Sequence, residues 1–289
     1  MSHSGTPRPL ALVCRTIGLA RSSAYAARRP LPLASAKRGP RSATSDDELL
    51  ARIREILDDA TFSGEGHRKV WARLRRRHGI RVSRKRVLRL MRGAGLLAPA
   101  RRRWTHTRGA HRGTIIPAAP NTLWGTDATT TQTTEEGWAW VFVAIDHRSL
   151  EPWARVRKRG DRFAALEPVL EGVRSHFGGC ALNIARGLAL RHDHGPQYVS
   201  DHFQGELRWL GITDSPAFVR EPEGNGMAEW FIKQLKEQIL WCERFATVEE
   251  ADRAVREFCR RFREEWIVER LGYRTPAEAY AAFIAERAA

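Results

Sequence analysis

No stretch of this chain approaches the ~20 consecutive apolar residues that a membrane-spanning helix needs. The opening MSHSGTPRPLALVCR lacks the long apolar core and small-residue cleavage site of a secretory leader. Cysteine is scarce. Cys14, Cys180, Cys242 and Cys259 lie far apart and form no C-x-x-C pair, which argues against a disulfide framework and a zinc module. They are expected as unpaired thiols in or near the core. No internal repeat is visible. These absences predict a soluble intracellular protein with no membrane partner. With 289 residues, 42% of them hydrophobic, the chain can build one sizeable core and a smaller domain.

Charge is plentiful but uneven. Residues 1–120 hold 27 Lys+Arg against 7 Asp+Glu, and the remainder holds 22 against 26, so the net +16 divides into +20 and −4. A basic half beside a near-neutral half suits a polyanionic partner bound through counterion release. Basic patches also occur on ribosome-associated and membrane-surface proteins, so charge alone puts nucleic acid first without deciding it.

Patterning divides the chain. Leu10, Val13, Ile17 and Leu19 have helical spacing, Gly18 marks a turn, and Ser22 or Ser23 could cap a second short helix. A Pro/Ser/Arg-rich linker follows. Residues 45–60 predict a helix with an acidic first turn. Residues 64–97 carry two helical patterns joined through Gly79. The first buries Val70 and Leu74; the second starts at Ser83 and buries Val87, Leu88 and Met91. Its other face offers Arg84, Lys85, Arg86, Arg89 and Arg92, a helix-turn-helix layout with the basic helix second. The plainer alternative is a solvated basic face on a helical hairpin. The basic, structure-poor run 100–118 is a second linker.

The pattern then changes. Three β-prone segments (121–132, 137–146, 151–158) predict an antiparallel meander. A helix over 162–177 follows, with Pro168 awkward inside it. Next come a strand at 188–193, a helix near 200–211, a short strand at 212–218 and a long helix from about Asn225. The order βββαβαβα predicts an α/β mixed sheet with helices on its faces. A helix over 247–266 follows, then a tail in which Thr275-Pro276-Ala277-Glu278 forms a capping box.

Three acids sit at telling places: Asp127 in the first strand, Asp193 at the end of LALRHD, and Glu229 near the start of the long helix. Each has an innocent explanation, as an edge-strand charge, a turn cap and a helix-dipole partner. Side chains alternate along a strand, so His192 and His194 are not obvious co-ligands of Asp193.

The acids lie within wider motifs: Pro120-Asn121-x-x-Trp124-x-Thr126-Asp127, His192-Asp193-x-Gly195-x-Gln197-Tyr198, Gly224-Asn225-x-x-x-Glu229-x-Phe231 with Leu235-Lys236, and Leu271-Gly272-Tyr273-x-Thr275-Pro276. This set resembles the integrase catalytic core of the RNase H-like superfamily. It is most similar to bacterial insertion-sequence transposases of the insertion-sequence-three family. The helix-turn-helix segment resembles that family's N-terminal domain. Two departures are Asp146-His147-Arg148-Ser149-Leu150, which only partly follows an Asp-x-x-Ser-Arg pattern, and Trp230, where a smaller or polar residue is expected. The zinc-binding His/Cys domain of retroviral integrases is absent.

The resemblance implies a small all-α helix-turn-helix domain ahead of an RNase H-like core. The expected boundaries are an N-terminal arm at 1–43, the DNA-binding domain at 44–99, a basic linker at 100–118, the core at 119–266 and a tail helix at 267–289. Asp127, Asp193 and Glu229 would be catalytic ligands of two Mg²⁺ ions, with Mn²⁺ able to substitute. Lys233 and Lys236, on the face of Glu229, would meet DNA phosphate. Asn225 would lie in a mobile loop against DNA. The implied function is metal-dependent hydrolysis at element ends followed by 3′-OH strand transfer, in a bacterial cytoplasmic, nucleoid-associated protein. Implied partners are double-stranded DNA (terminal inverted repeats and target), further copies of the chain, and an upstream helix-turn-helix product fused by frameshifting. An inactive DNA-binding remnant and an RNase H-type nuclease are the alternatives.

Overall fold

The computed structural model describes residues 9–28, 43–99, 115–216 and 225–288. The chain divides into two compact units, 1–45 and 46–289. The first contributes two short helices, α1 (Leu10–Thr16) and α2 (Arg21–Arg28). Gly18 turns between them at φ +66°. Because α2 already begins at Arg21, Ser22 and Ser23 lie inside it and do not cap it, contrary to expectation.

The second unit opens with a three-helix bundle, α3 (Asp46–Asp58), α4 (His67–His78) and α5 (Arg84–Gly93). Leu49, Ile53, Ile56, Val70, Leu74, Val87 and Met91 form its buried centre. The Ser83 hydroxyl accepts from the Arg86 N–H and caps α5. Leu88 is only half-buried.

A five-stranded sheet follows, in the order β3-β2-β1-β4-β5. Its strands are β1 (Leu123–Thr133), β2 (Gly137–Asp146), β3 (Pro152–Arg157), β4 (Ala189–His192) and β5 (Thr213–Pro216). The first three form the antiparallel meander, and β4 and β5 add in parallel. On one face lie α6 (Arg162–Phe177) and α7 (Asp201–Leu210), packed over Trp124, Phe142 and Leu190. On the other lie α8 (Gly226–Leu235), a π-helical segment (Lys236–Leu240) and α9 (Val248–Glu265), packed over Val141, Val143 and Ile145. The long helix from Asn225 is therefore an α-helix that widens after ten residues. Pro168 sits buried within α6, removing one main-chain donor without ending the helix. In α10 (Pro276–Ala288) the capping box closes in both directions, Glu278 N–H to Thr275 Oγ1 at 3.2 Å and Thr275 N–H to Glu278 Oε2 at 2.9 Å. No helix among the described residues is long and apolar enough to cross a membrane.

The bundle is docked on the core. Phe62 packs edge-on against Trp266 at 4.8 Å and Phe258 at 5.9 Å. Lys69 Nζ lies 3.3 Å from the centre of the Trp266 ring. Beside them Arg73 and Glu65 form a buried two-point ion pair, both contacts at 2.6 Å.

The cysteines partly meet expectation. All four are free; Cys14 and Cys259 are buried and Cys180 half-buried, but Cys242 is exposed, just beyond the π-helical segment.

Candidate active site

Asp127 stands on β1, which lies between β2 and β4 and is not an edge strand. The register of β1 and β4 pairs Leu123 with Ala189 and Gly125 with Arg191. Asp127 and Asp193, the latter beginning the turn after β4, stand two residues beyond that last pair. Neighbouring strands lie about 4.8 Å apart, and the Asp193 charge acts on the Asp127 carboxyl. Asp193 Oδ1 accepts from the Gly195 N–H at 3.0 Å, closing the turn on itself. Asp193 is thus both a turn cap and an exposed acid at the strand end.

The flanking histidines part company. His192 is buried; its Nε2 pairs with Asp214 Oδ1 at 2.6 Å and its ring stacks on Tyr198 at 5.3 Å. His194 is exposed.

Glu229 enters from the first turn of α8. Asp127, Ala128, Glu229, Ile232, Lys233 and Lys236 line one open cleft of about 390 Å³. Burial raises the Asp127 carboxyl to about 6; the charges of Asp193 and Glu229 add to the rise, while the Ala128 N–H and Lys236 oppose it. Glu229 is also raised, by burial. Lys233 pairs with Glu237 at 3.9 Å, not with Glu229. Among the described residues, no group of three or more His, Cys, Asp or Glu side chains is close enough to hold a metal ion as it stands. The acids share an electrostatic field without forming a closed coordination set.

Asn225 departs from its expected place at DNA. It is 6% exposed, and its amide donates to the Thr126 main-chain oxygen at 2.9 Å, tying the start of α8 to β1. Gly224 lies outside the described residues, and so does the expected mobility of that loop. Gly125 permits the close approach: a Cβ there would stand 2.9 Å from Asn225 Oδ1 and 2.8 Å from His147 Nε2.

The sequence did not single out Asp146 as a support. This buried carboxylate accepts from the Asn121 N–H at 2.6 Å, Trp124 Nε1 at 3.0 Å, the Arg148 N–H at 2.7 Å and the Ser149 N–H at 2.6 Å. It fixes the start of β1 against the end of β2. Trp230 is half-buried and packs edge-on against Phe262, which accounts for a large side chain there.

On α5 the basic face divides. Arg84 pairs with Glu269 at 3.3 Å and lies over the Trp71 ring at 4.6 Å. Arg86 and Arg89 each pair with Asp46 at 2.7 Å. Lys85 and Arg92 are exposed.

Comparison with known families finds two domains in this order: an HTH-like domain over residues 44–104 and an integrase core domain over residues 117–222. The second match includes Asp127 and Asp193 and ends before Glu229. Fold and site together define an integrase-core protein of the RNase H-like class with a helix-turn-helix-type domain ahead of it. The chain is 27% identical over 242 residues to the transposase InsD for insertion element IS2A/D/F/H/I/K of Escherichia coli, covering 81% of this chain and 79% of that protein. The InsD transposase for insertion element IS2-9 of Escherichia coli K12 is equally similar, with 77% of its length covered. Among solved structures, the HTLV-2 integrase catalytic core domain in complex with magnesium has 18% identity and a TM-score of 0.43, over 56% of this chain and 98% of that one. The chain is thus similar to insertion-sequence transposases, and it carries an HTH-like domain and an integrase core domain.

Proposed function

We propose that this chain is a transposase that cuts and joins DNA at a centre made by Asp127, Asp193 and Glu229. The observation that supports this reading is the β1–β4 register, whose last pair, Gly125 with Arg191, stands two residues before Asp127 and Asp193, with Glu229 lining the cleft beside Asp127. The donor set is oxygen only, and burial, with the charges of Asp193 and Glu229 adding to it, raises the Asp127 carboxyl to about 6. Both features fit a hard divalent cation. Two bound Mg²⁺ ions, or Mn²⁺ in their place, would align an attacking oxygen and stabilise a leaving one.

The chain's own residues do the rest. Asn225 holds the first turn of α8 against β1 and so fixes Glu229 relative to Asp127. Lys233 and Lys236 meet phosphate oxygens along the cleft. Lys85 and Arg92 contact duplex DNA directly, and Arg84, Arg86 and Arg89 join them when phosphate displaces Glu269 and Asp46. Water is the first nucleophile and the freed 3′-OH the second, and no covalent protein–DNA bond is needed. Joining two ends requires at least a dimer. An upstream helix-turn-helix product fused by frameshifting remains part of the proposal, and an overlapping upstream frame in the flanking DNA would support it.

The test is cleavage of labelled duplex carrying the element's terminal repeats, with Mg²⁺ or Mn²⁺ against chelator. Specific nicking that is lost in Asp193→Asn is expected. A wild-type chain that binds the repeats but never nicks them would instead be an inactive remnant. Preferential cutting of an RNA–DNA hybrid run in parallel would move the reading to an RNase H-type nuclease.

A further inference from the structure

Trp241 has the most exposed large apolar side chain among the described residues, at 70%. It also lines the cleft of Asp127 and Glu229, beside Lys233 and Lys236. An indole left in water forgoes the burial that usually makes tryptophan worth carrying. Here it does so at the mouth of a cleft whose floor is acidic and whose wall is basic.

The backbone explains how it arrives there. On an uninterrupted α-helix, Trp241 would fall about a third of a turn off the Glu229 face. The π-helical segment Lys236–Leu240 has wider turns and takes back part of that rotation, and the Trp241 N–H closes on the Lys236 oxygen at 2.9 Å. The position is held on both sides. Gln238 exchanges two hydrogen bonds with the Ser63 main chain, at 3.0 and 3.1 Å, and Leu240 is buried. The exposed ring therefore does not stand on a fraying end.

We propose that Trp241 is a stacking platform for an unpaired nucleobase of the strand whose phosphate enters the cleft. This deepens, and rests on, the functional reading above. Lysines that follow a phosphate backbone next to an open aromatic face are the working parts of single-strand recognition. Bases inside a duplex are already stacked on their neighbours, so the ring selects a frayed terminal base or one turned out of the helix.

The test uses the full chain with Ca²⁺ to hold the complex before turnover. Terminal-repeat duplexes carry 2-aminopurine at successive positions around the cut, either paired or opposite a mismatch. In the wild type, one position is quenched on binding. Trp241→Ala abolishes that quench and weakens binding of mismatched ends by about ten-fold, while a fully paired internal duplex changes by less than about two-fold. Trp241→Phe keeps most of both effects. If Trp241→Ala binds mismatched ends as the wild type does, with the same fluorescence, the platform is wrong even though cleavage in Mg²⁺ continues. If the wild type quenches at one position but cleaves nothing in Mg²⁺ or Mn²⁺, the platform stands and the catalytic reading falls.

Discussion

The side-chain amide of Asn225 donates to the Thr126 main-chain oxygen across 2.9 Å, one residue before Asp127 and four before Glu229. A single buried hydrogen bond thus couples the strand and the helix that carry two of the three acids. Asn225→Ala removes the donor and leaves the Thr126 oxygen unsatisfied. Cleavage and Mn²⁺ affinity, the latter followed by electron paramagnetic resonance, should each fall by about 10- to 100-fold, as for other groups that orient metal ligands. Unchanged Mn²⁺ binding in a folded variant would show that the tether has no such role.

The Asp127 carboxyl titrates at about 6, well above its ordinary 3.8. Cation binding requires the ionised form, so Mn²⁺ affinity and cleavage should fall as pH drops through 6. The midpoint should move lower as cation concentration rises, because cation and proton compete. At cation concentrations well below saturation, a Mn²⁺ affinity that stays flat from pH 7 to pH 5 would rule out Asp127 as a ligand.

The same shift has a stability sign. Between about pH 4 and pH 6 the folded, cation-free chain keeps a proton on Asp127 that the unfolded chain has released, so stability falls as pH rises through that window. Above it the penalty is constant, on the order of 3 kcal/mol. Asp127→Asn removes the charge. It should raise the Tm of the cation-free protein by roughly 5 °C at pH 7.5 while abolishing cleavage. Calorimetry with and without Mg²⁺ measures both sides.

Much of this was legible beforehand because local rules and the tertiary structure agree. The meander follows from alternating β-branched and aromatic residues, α5 from its Ser83 cap, and the tail helix from its reciprocal Thr275–Glu278 box. The acids were proposed from motifs, and the last β1–β4 pair, Gly125 with Arg191, stands two residues before Asp127 and Asp193. What was missed depends on long-range partners. Nothing near Asp146 announces that Asn121 and Trp124 will converge on it, and a widening of the helix at Lys236 has no sequence signature. Asn225 was assigned to DNA because a Gly-Asn-Gly stretch resembles a loop, whereas its amide is already taken up by a neighbouring strand.

Asp146 gathers its donors in a fully buried position. Asp146→Ala leaves them unsatisfied and should cost about 3 kcal/mol, read from urea unfolding. Gly172 is a second sensitive point: a Cβ there would stand 2.6 Å from the Trp124 ring. Gly172→Ala should cost about 1–3 kcal/mol by overpacking. Loss of less than half a kcal/mol in either variant would contradict the packing described.

On α5, the exposed Lys85 and Arg92 should each weaken duplex binding on substitution by alanine, and each should reduce the salt slope by about 0.9. Glu269→Gln frees Arg84 and Arg68 from their shared carboxylate and should strengthen binding several-fold at low salt. Affinity measured across a salt series separates these effects, and weaker binding by Glu269→Gln would show that the pair serves the fold and does not hold Arg84 back.

The seam where Phe62 meets Phe258 and Trp266 bears on how such proteins could be recombined. The HTH-like bundle is glued to the integrase core by aromatic rings and a buried Glu65–Arg73 pair, so it is not an interchangeable cassette. A chimera that grafts another bundle onto this core would have to bring the matching stretch around Trp266 to Glu278 with it, or leave a greasy scar on both halves.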